Sequence, residues 1–87
     1  MEKLLCDLVQ ERGGLCFKWL SPDNPGVPDR IVITPEGRTI FVEIKTEIGR
    51  LANIQKWQHS RLLEHRVEVV TLKGKEPVKA FIKEVFG

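Results

Sequence analysis

The segment FVEIKTE, residues 41–47, predicts a central β-strand that carries charges where apolar side chains are expected. Successive side chains of a strand point to opposite faces of the sheet. Phe41, Glu43 and Lys45 therefore share one face, while the aliphatic residues between them share the other. A carboxylate and an ammonium are unusual next to each other on a strand this apolar. The neighbouring segments indicate why they are there.

The length and composition fit a single small domain over residues 1–87. The chain has 41% hydrophobic and 30% charged residues, which is enough for a modest core. A domain this short buries little of its surface, and this favours the association of two copies. The net charge of +2 is compatible with a nucleic-acid partner but does not by itself indicate one.

The first segment, MEKLLCDLVQERGG, has charges threaded through its apolar residues, which argues against a signal peptide or a membrane span. No later segment is apolar enough to cross a bilayer, so we expect a cytoplasmic protein with no membrane partner. Cys6 and Cys16 have neither CxxC spacing nor clustered histidines. We interpret them as buried thiols in a reducing compartment rather than as a disulfide or a zinc site.

Hydrophobic periodicity and turn residues predict the element order α-β-β-β-α-β-α. The expected elements are a helix over residues 2–12, a strand over 15–20, the strands RIVIT and RTIFVEIK around the turn TPEG, a helix through IQKWQHSRLLEH, the strand VEVVTL, and a helix that begins near Pro77. The second helix separates the hairpin strands from VEVVTL, so the last strand can join by a parallel crossover. An α/β fold follows, with a mixed sheet flanked by helices.

The turn TPEG places two acids opposite each other. If residues 35–37 form a three-residue loop with Gly37 in the left-handed conformation, Thr34 faces Arg38 across the hairpin. Counting back along the antiparallel pair then brings Asp29 opposite Glu43. Two carboxylates that face each other across a ladder repel, and burial raises one of their pKa values.

A divalent cation relieves this repulsion, because Mg²⁺ is bound by one or two carboxylates together with waters and phosphate oxygens. Lys45 points to the same place, where its ammonium can orient a water and offset negative charge at a phosphorus. Taken alone, a Glu-x-Lys pair is more typical of an ordinary surface ion pair, and Asp29 can simply end a loop.

Polar residues on the predicted apolar faces of two helices favour the cation hypothesis. Glu2 shares a stripe with Leu5 and Val9, although a frayed terminus explains this position equally well. Gln55 and Gln58 lie on the apolar stripe of the second helix, where a site water or a phosphate can satisfy them; for Gln58 we expect backbone partners instead.

These residues resemble the VRR-NUC (virus-type replication-repair nuclease) domain of the PD-(D/E)xK nuclease superfamily. The resemblance is carried by GVPDR at residues 26–30, FVEIK at 41–45 and Gln55 early in the next helix, in this order and on the expected elements. It implies a restriction-endonuclease-like core, similar to that of Holliday junction resolvases. It also implies Mg²⁺ or Mn²⁺ dependence and cleavage of DNA phosphodiesters. Phage-encoded stand-alone members of about this size tend to be homodimers, which implies a homodimer in a bacterial host cell.

The resemblance also implies roles for individual residues. Asp29 and Glu43 correspond to the metal ligands, Lys45 to the catalytic lysine, Glu2 to the acid of the first helix and Gln55 to the helix glutamine. We add the Ile44 carbonyl as a third metal ligand. Four basic residues are candidates for phosphate contacts, although each is more typical of a solvated charge: Lys18, Arg30, Arg50 and Lys56.

No segment resembles an element that reads bases, so we expect recognition of DNA shape at branches, flaps or junctions. Trp19 and Trp57 can stack on unpaired bases, but we expect both to pack in the core. A non-catalytic nucleic-acid-binding module on the same scaffold is the alternative function. The residues alone do not separate DNA from RNA as the substrate.

Overall fold

The computed structural model describes residues 1–87 and contains three helices and four strands in the order predicted from the sequence. Their bounds, in chain order, are α1 Glu2–Glu11, β1 Leu15–Lys18, β2 Arg30–Ile33, β3 Thr39–Lys45, α2 Asn53–Glu64, β4 Glu68–Lys73 and α3 Lys75–Phe86. No helix is long and apolar enough to cross a membrane.

The four strands form one mixed sheet in the spatial order β1-β2-β3-β4. β2 pairs antiparallel with both β1 and β3, and β4 lies parallel to β3. Helix α2 supplies the crossover between β3 and β4, as a parallel connection requires. The predicted α/β fold with a mixed sheet and flanking helices is therefore confirmed.

The hydrophobic core lies between one face of the sheet and the helices α1 and α3. Its nine buried apolar residues come from both helices and three strands: Leu5, Val9, Val32, Ile40, Val42, Leu72, Val78, Phe81 and Ile82. The aliphatic face of β3 points into this core, which confirms the alternation predicted for FVEIKTE. The opposite face, which carries the charges, is covered mainly where α2 packs on β4.

Strand β1 is shorter than predicted and turns its aromatic face outward. It ends at Lys18, although the N–H of Trp19 still donates to the carbonyl of Asp29 at 2.9 Å. Leu15 and Phe17 are 50% and 51% exposed, because they lie on the sheet face that the helices leave largely open.

The expectation of two free thiols is wrong, because Cys6 and Cys16 form a disulfide. Their Cα atoms are 5.3 Å apart, within the range that a disulfide spans without backbone movement. Helix α1 packs on β1 and brings the two side chains together. The spacing in sequence does not show this pairing, since it depends on how the helix lies on the strand.

Candidate active site

The β2–β3 hairpin sets the register of the site. The N–H of Thr34 donates to the Arg38 carbonyl at 2.9 Å, and Gly37 has a φ of 92°, as the three-residue loop requires. Arg30 pairs with Val42 in the ladder. One step further along the same register, Asp29 lies opposite Glu43, which confirms the predicted juxtaposition.

The loop before β2 fixes the position of Asp29. Pro28 is fully buried, and Gly26 lies directly on α2, where an added Cβ would come 2.7 Å from the Ile54 carbonyl oxygen. Only a glycine permits this approach, and its φ of 93° suits glycine as well. Asp29 Oδ1 is buried without a hydrogen-bond partner. Burial, followed by the neighbouring Glu2 carboxylate, raises the pKa of Asp29.

Glu43 is the most strongly perturbed acid of the chain. It is 5% exposed, and Lys45 Nζ lies 3.8 Å from its Oε2. Burial and, next, the charge of Asp29 raise the pKa of Glu43 to about 7, although Lys45 and the Gln55 amide act in the opposite direction. The lysine therefore compensates only part of the cost of placing two carboxylates here.

Glu2, on α1, lies close to Asp29 and Glu43, and we refer to these three acids as the acidic cluster. Its Oε2 accepts a hydrogen bond from Arg30 at 2.8 Å, and its carboxyl interacts with that of Asp29. The Arg30 hydrogen bond is the main cause that lowers the pKa of Glu2. Of the two explanations open for Glu2, the structure supports the one in which it belongs to the acidic cluster.

The two glutamines of α2 have different environments. Gln55 Oε1 accepts a hydrogen bond from the Ala52 N–H at 2.9 Å, while its side chain lies close enough to Glu43 to affect the pKa of that acid. Gln58 is buried and donates to the Pro25 carbonyl at 3.2 Å, so the prediction of a backbone partner is confirmed. Gln58 thus ties α2 to the loop that carries Asp29.

The carbonyl of Ile44 points to the β2 side of β3. Backbone groups alternate sides along a strand, and the Lys45 carbonyl accepts from the Gly74 N–H on the β4 side at 3.0 Å. The Ile44 carbonyl therefore faces the β2 side, where the register places Pro28. Proline has no N–H, so the ladder gives this oxygen no donor.

The donor set of these residues fits a divalent cation. No group of three or more histidine, cysteine, aspartate or glutamate side chains is arranged to hold a metal ion. Two carboxylates and one backbone carbonyl are hard oxygen donors, and Mg²⁺ keeps several waters when so few protein ligands bind it. The unpartnered buried Oδ1 of Asp29 and the raised pKa of Glu43 are both relieved by added positive charge.

Comparison with known proteins identifies the family. No family model matches the sequence. The chain is 37% identical over 76 residues, 87% of its length, to "Putative nuclease p44" of Acyrthosiphon pisum secondary endosymbiont phage 1, and covers 82% of that protein. A solved structure described as a VRR_NUC domain superposes with a TM-score of 0.89 at 27% identity, over 98% of this chain and 92% of that one.

The chain belongs to the VRR-NUC nuclease family. The arrangement of GVPDR, FVEIK and Gln55 on the loop, β3 and α2 of this VRR-NUC domain is the one that the resemblance implied.

The basic residues predicted to contact phosphate fall into two groups in the VRR-NUC domain. Lys18, Arg50 and Lys56 are exposed, with no ion pair to an acid. The Arg30 side chain is only 17% exposed and is bound to Glu2, so its guanidinium serves the acidic cluster.

The two tryptophans also differ from each other. Trp19 is half-buried and packs on Phe41, with ring centroids 4.8 Å apart, but this contact lies on the charged face of the sheet and not in the core as expected. For Trp57 the expectation of core packing is wrong: it is 55% exposed, and its ring is covered by Arg61 at 4.7 Å. Trp57 points away because the opposite face of α2, with Gln58 and His59, meets the sheet.

Sequence reasoning missed His59. This residue of the VRR-NUC domain is 6% exposed, and its Nε2 is buried without a partner. Burial and then the nearby charge of Lys45 lower its pKa. The available signal was its spacing, four residues after Gln55 and therefore on the same helix face.

The buried charge of Glu43 predicts a pH dependence of stability in the metal-free protein. The pKa of Glu43 is higher in the folded state, about 7, than its ordinary 4.5, so the folded state binds the proton more tightly. The free energy of unfolding should therefore fall as the pH rises from 4.5 to 7. At pH 8 with chelator, Glu43→Gln should raise it by about 2 kcal/mol, measured by urea denaturation.

The matched control is Glu36→Gln, since Glu36 is exposed on the hairpin turn. This control should leave the stability unchanged at every pH. Equal stability of wild type and Glu43→Gln at pH 8 would show that Glu43 carries no electrostatic cost.

Proposed function

We propose that this domain is a divalent-metal-dependent DNA endonuclease that hydrolyses phosphodiester bonds, with Mg²⁺ or Mn²⁺ as the cofactor. The observation that carries the proposal is the pair of opposed acids: Asp29 has a buried oxygen with no partner, and Glu43 has a raised pKa, both at the same end of the hairpin. Membership of a nuclease family supports this assignment.

The proposed roles follow from position. Asp29, Glu43 and the Ile44 carbonyl hold the cation, and Glu2 contributes through a water, because Arg30 already occupies one of its oxygens. The bound cation supplies Lewis acidity and lowers the pKa of a water. Lys45 orients the attacking water and offsets the charge that develops on the non-bridging phosphate oxygens. Gln55 faces Glu43 and keeps that carboxylate oriented.

We propose further that the substrate is branched DNA, such as a flap or a Holliday-junction-like structure, in replication, repair or recombination. None of the three helices extends from the domain as a recognition helix that could enter a DNA groove. Helices α1 and α3 pack on the core face of the sheet, and α2 packs on the opposite face. Lys18, Arg50 and Lys56 carry exposed charge that contacts phosphates without reading bases. Without an element that reads bases, discrimination among DNA substrates comes from their shape.

The cleavage test uses labelled four-way junction, flap and linear duplex of matched sequence. With Mg²⁺ or Mn²⁺ we expect the branched substrates to be cut at least about tenfold faster than the duplex, and chelator to stop cleavage. Single-stranded RNA in the same panel shows whether DNA is preferred. Equal cutting of all shapes would contradict the selectivity, and cutting in chelator would contradict the metal dependence.

Lys45→Ala in the same panel separates a nuclease from a non-catalytic binding module. A nuclease should lose cleavage by about 10²-fold or more while its DNA affinity stays within about threefold, because Lys45 acts mainly in the transition state. Lys83→Ala, at an exposed lysine on α3 away from the acids, is the matched control. A binding module would show no wild-type cleavage at all.

We also propose a homodimer, which presents two sites for paired nicks across a junction. Eight large apolar side chains are more than a third exposed, among them Leu15 and Phe17 on the open sheet face, and pairing removes such surface from water. Light scattering should give twice the 10.0 kDa of one chain. A monomer at micromolar concentration would contradict this proposal.

A further inference from the structure

His59 is a buried polar residue without a partner for its ring nitrogen. Thr34 accepts from the Arg38 N–H, Gln58 donates to Pro25, and Glu43 forms an ion pair with Lys45. The other buried atoms without a partner, Asp29 Oδ1 and Arg30 Nε, belong to the group of acids and its arginine already described. A buried polar atom left unsatisfied costs about 1–3 kcal/mol. Nε2 of His59 bears this cost in the folded domain, so its presence calls for a role.

Helix α2 brings His59 to the sheet face that carries Lys45. The buried side of α2 includes Gln58 and His59, and it packs on the sheet. Gln55, one turn earlier on the same helix, lies near Glu43, and His59 lies close enough to the Lys45 ammonium for that charge to lower its pKa. The buried imidazole and the ammonium are therefore neighbours on the charged face of the sheet.

The Lys45 ammonium is not locked onto Glu43. Its Nζ lies 3.8 Å from Oε2, beyond the 2.7–2.9 Å that is usual for a charge-assisted hydrogen bond. The Lys45 side chain is 24% exposed and can turn toward either acid or toward solvent. A second acceptor beside it would limit that freedom.

We infer that His59 is a positioning residue, whose neutral imidazole accepts a hydrogen bond from Lys45 and keeps the ammonium directed into the gap between the acids. With the proton on Nδ1, Nε2 carries the lone pair that this requires. Burial and the adjacent ammonium favour the uncharged ring. The inference rests on the proposed nuclease function and adds a residue to that site.

The test compares two substitutions at this position in the intact protein. His59→Leu keeps the volume and removes the acceptor, whereas His59→Gln places a neutral polar group near Nε2. For cleavage of the branched substrate with Mg²⁺, we expect Leu to lower kcat by about 10- to 100-fold with KM within about twofold. Gln should retain kcat within about threefold of wild type.

His65→Leu is the matched control, since His65 is exposed at the C-terminal end of the same helix. It should leave kcat and KM unchanged. Urea denaturation of each variant shows whether it is folded; should His59→Leu not fold, His59→Met takes its place under the same criterion.

Two outcomes overturn the inference while the proposed function stands. One is a wild-type kcat in the apolar variant, and the other is equal loss in the apolar and Gln variants. A wild-type protein that cuts no DNA under any metal condition would instead overturn the proposed function, and with it the role of His59. The two failures are therefore distinguishable in a single experiment.

Discussion

The opposition of Asp29 and Glu43 across the β2–β3 ladder is the constraint that the rest of the structure has to accommodate. Like charges directly opposite one another destabilise a sheet, and here burial adds to the cost by raising the pKa of both acids. The hairpin turn at Gly37 fixes the register, so neither acid can slip away from the other.

The core on the far side of the sheet offsets this cost. The aliphatic residues of β3 alternate with the charged ones and pack against α1 and α3, so one strand stabilises the fold with one face and builds the site with the other. Helix α2 adds a second clamp, because Gln58 binds the Pro25 carbonyl and Gly26 lies against the helix backbone. The loop that ends at Asp29 is thereby held between α2 and β3.

Much of this could be predicted from the sequence because it depends on local patterns. Alternation in FVEIKTE separates its two faces, and the length of the TPEG turn sets which residues pair across the hairpin. The order of the elements follows from periodicity and from the Gly and Pro positions. These local rules bring Asp29, Glu43 and Lys45 together without any knowledge of the tertiary contacts.

The rest depends on how helices lie on the sheet, which no local pattern encodes. The Cys6–Cys16 disulfide, the exposure of Trp57 and the burial of His59 all follow from helix rotation and docking. The partnership of Glu2 with Arg30 needs the start of α1 to meet the start of β2. Apolar periodicity in α2 placed Gln58 on the buried face, but it gave no reason to expect His59 there as well.

Cation binding in the absence of DNA tests the central claim most directly, since it needs no assumption about the substrate. At pH 8, titrating Mn²⁺ into the wild-type protein should raise the free energy of unfolding by about 2.7 kcal/mol at a hundredfold excess over Kd. Asp29→Asn and Glu43→Gln should each lose most of this gain. The same gain in wild type and both variants, or none in any, would contradict a cation site between the two acids.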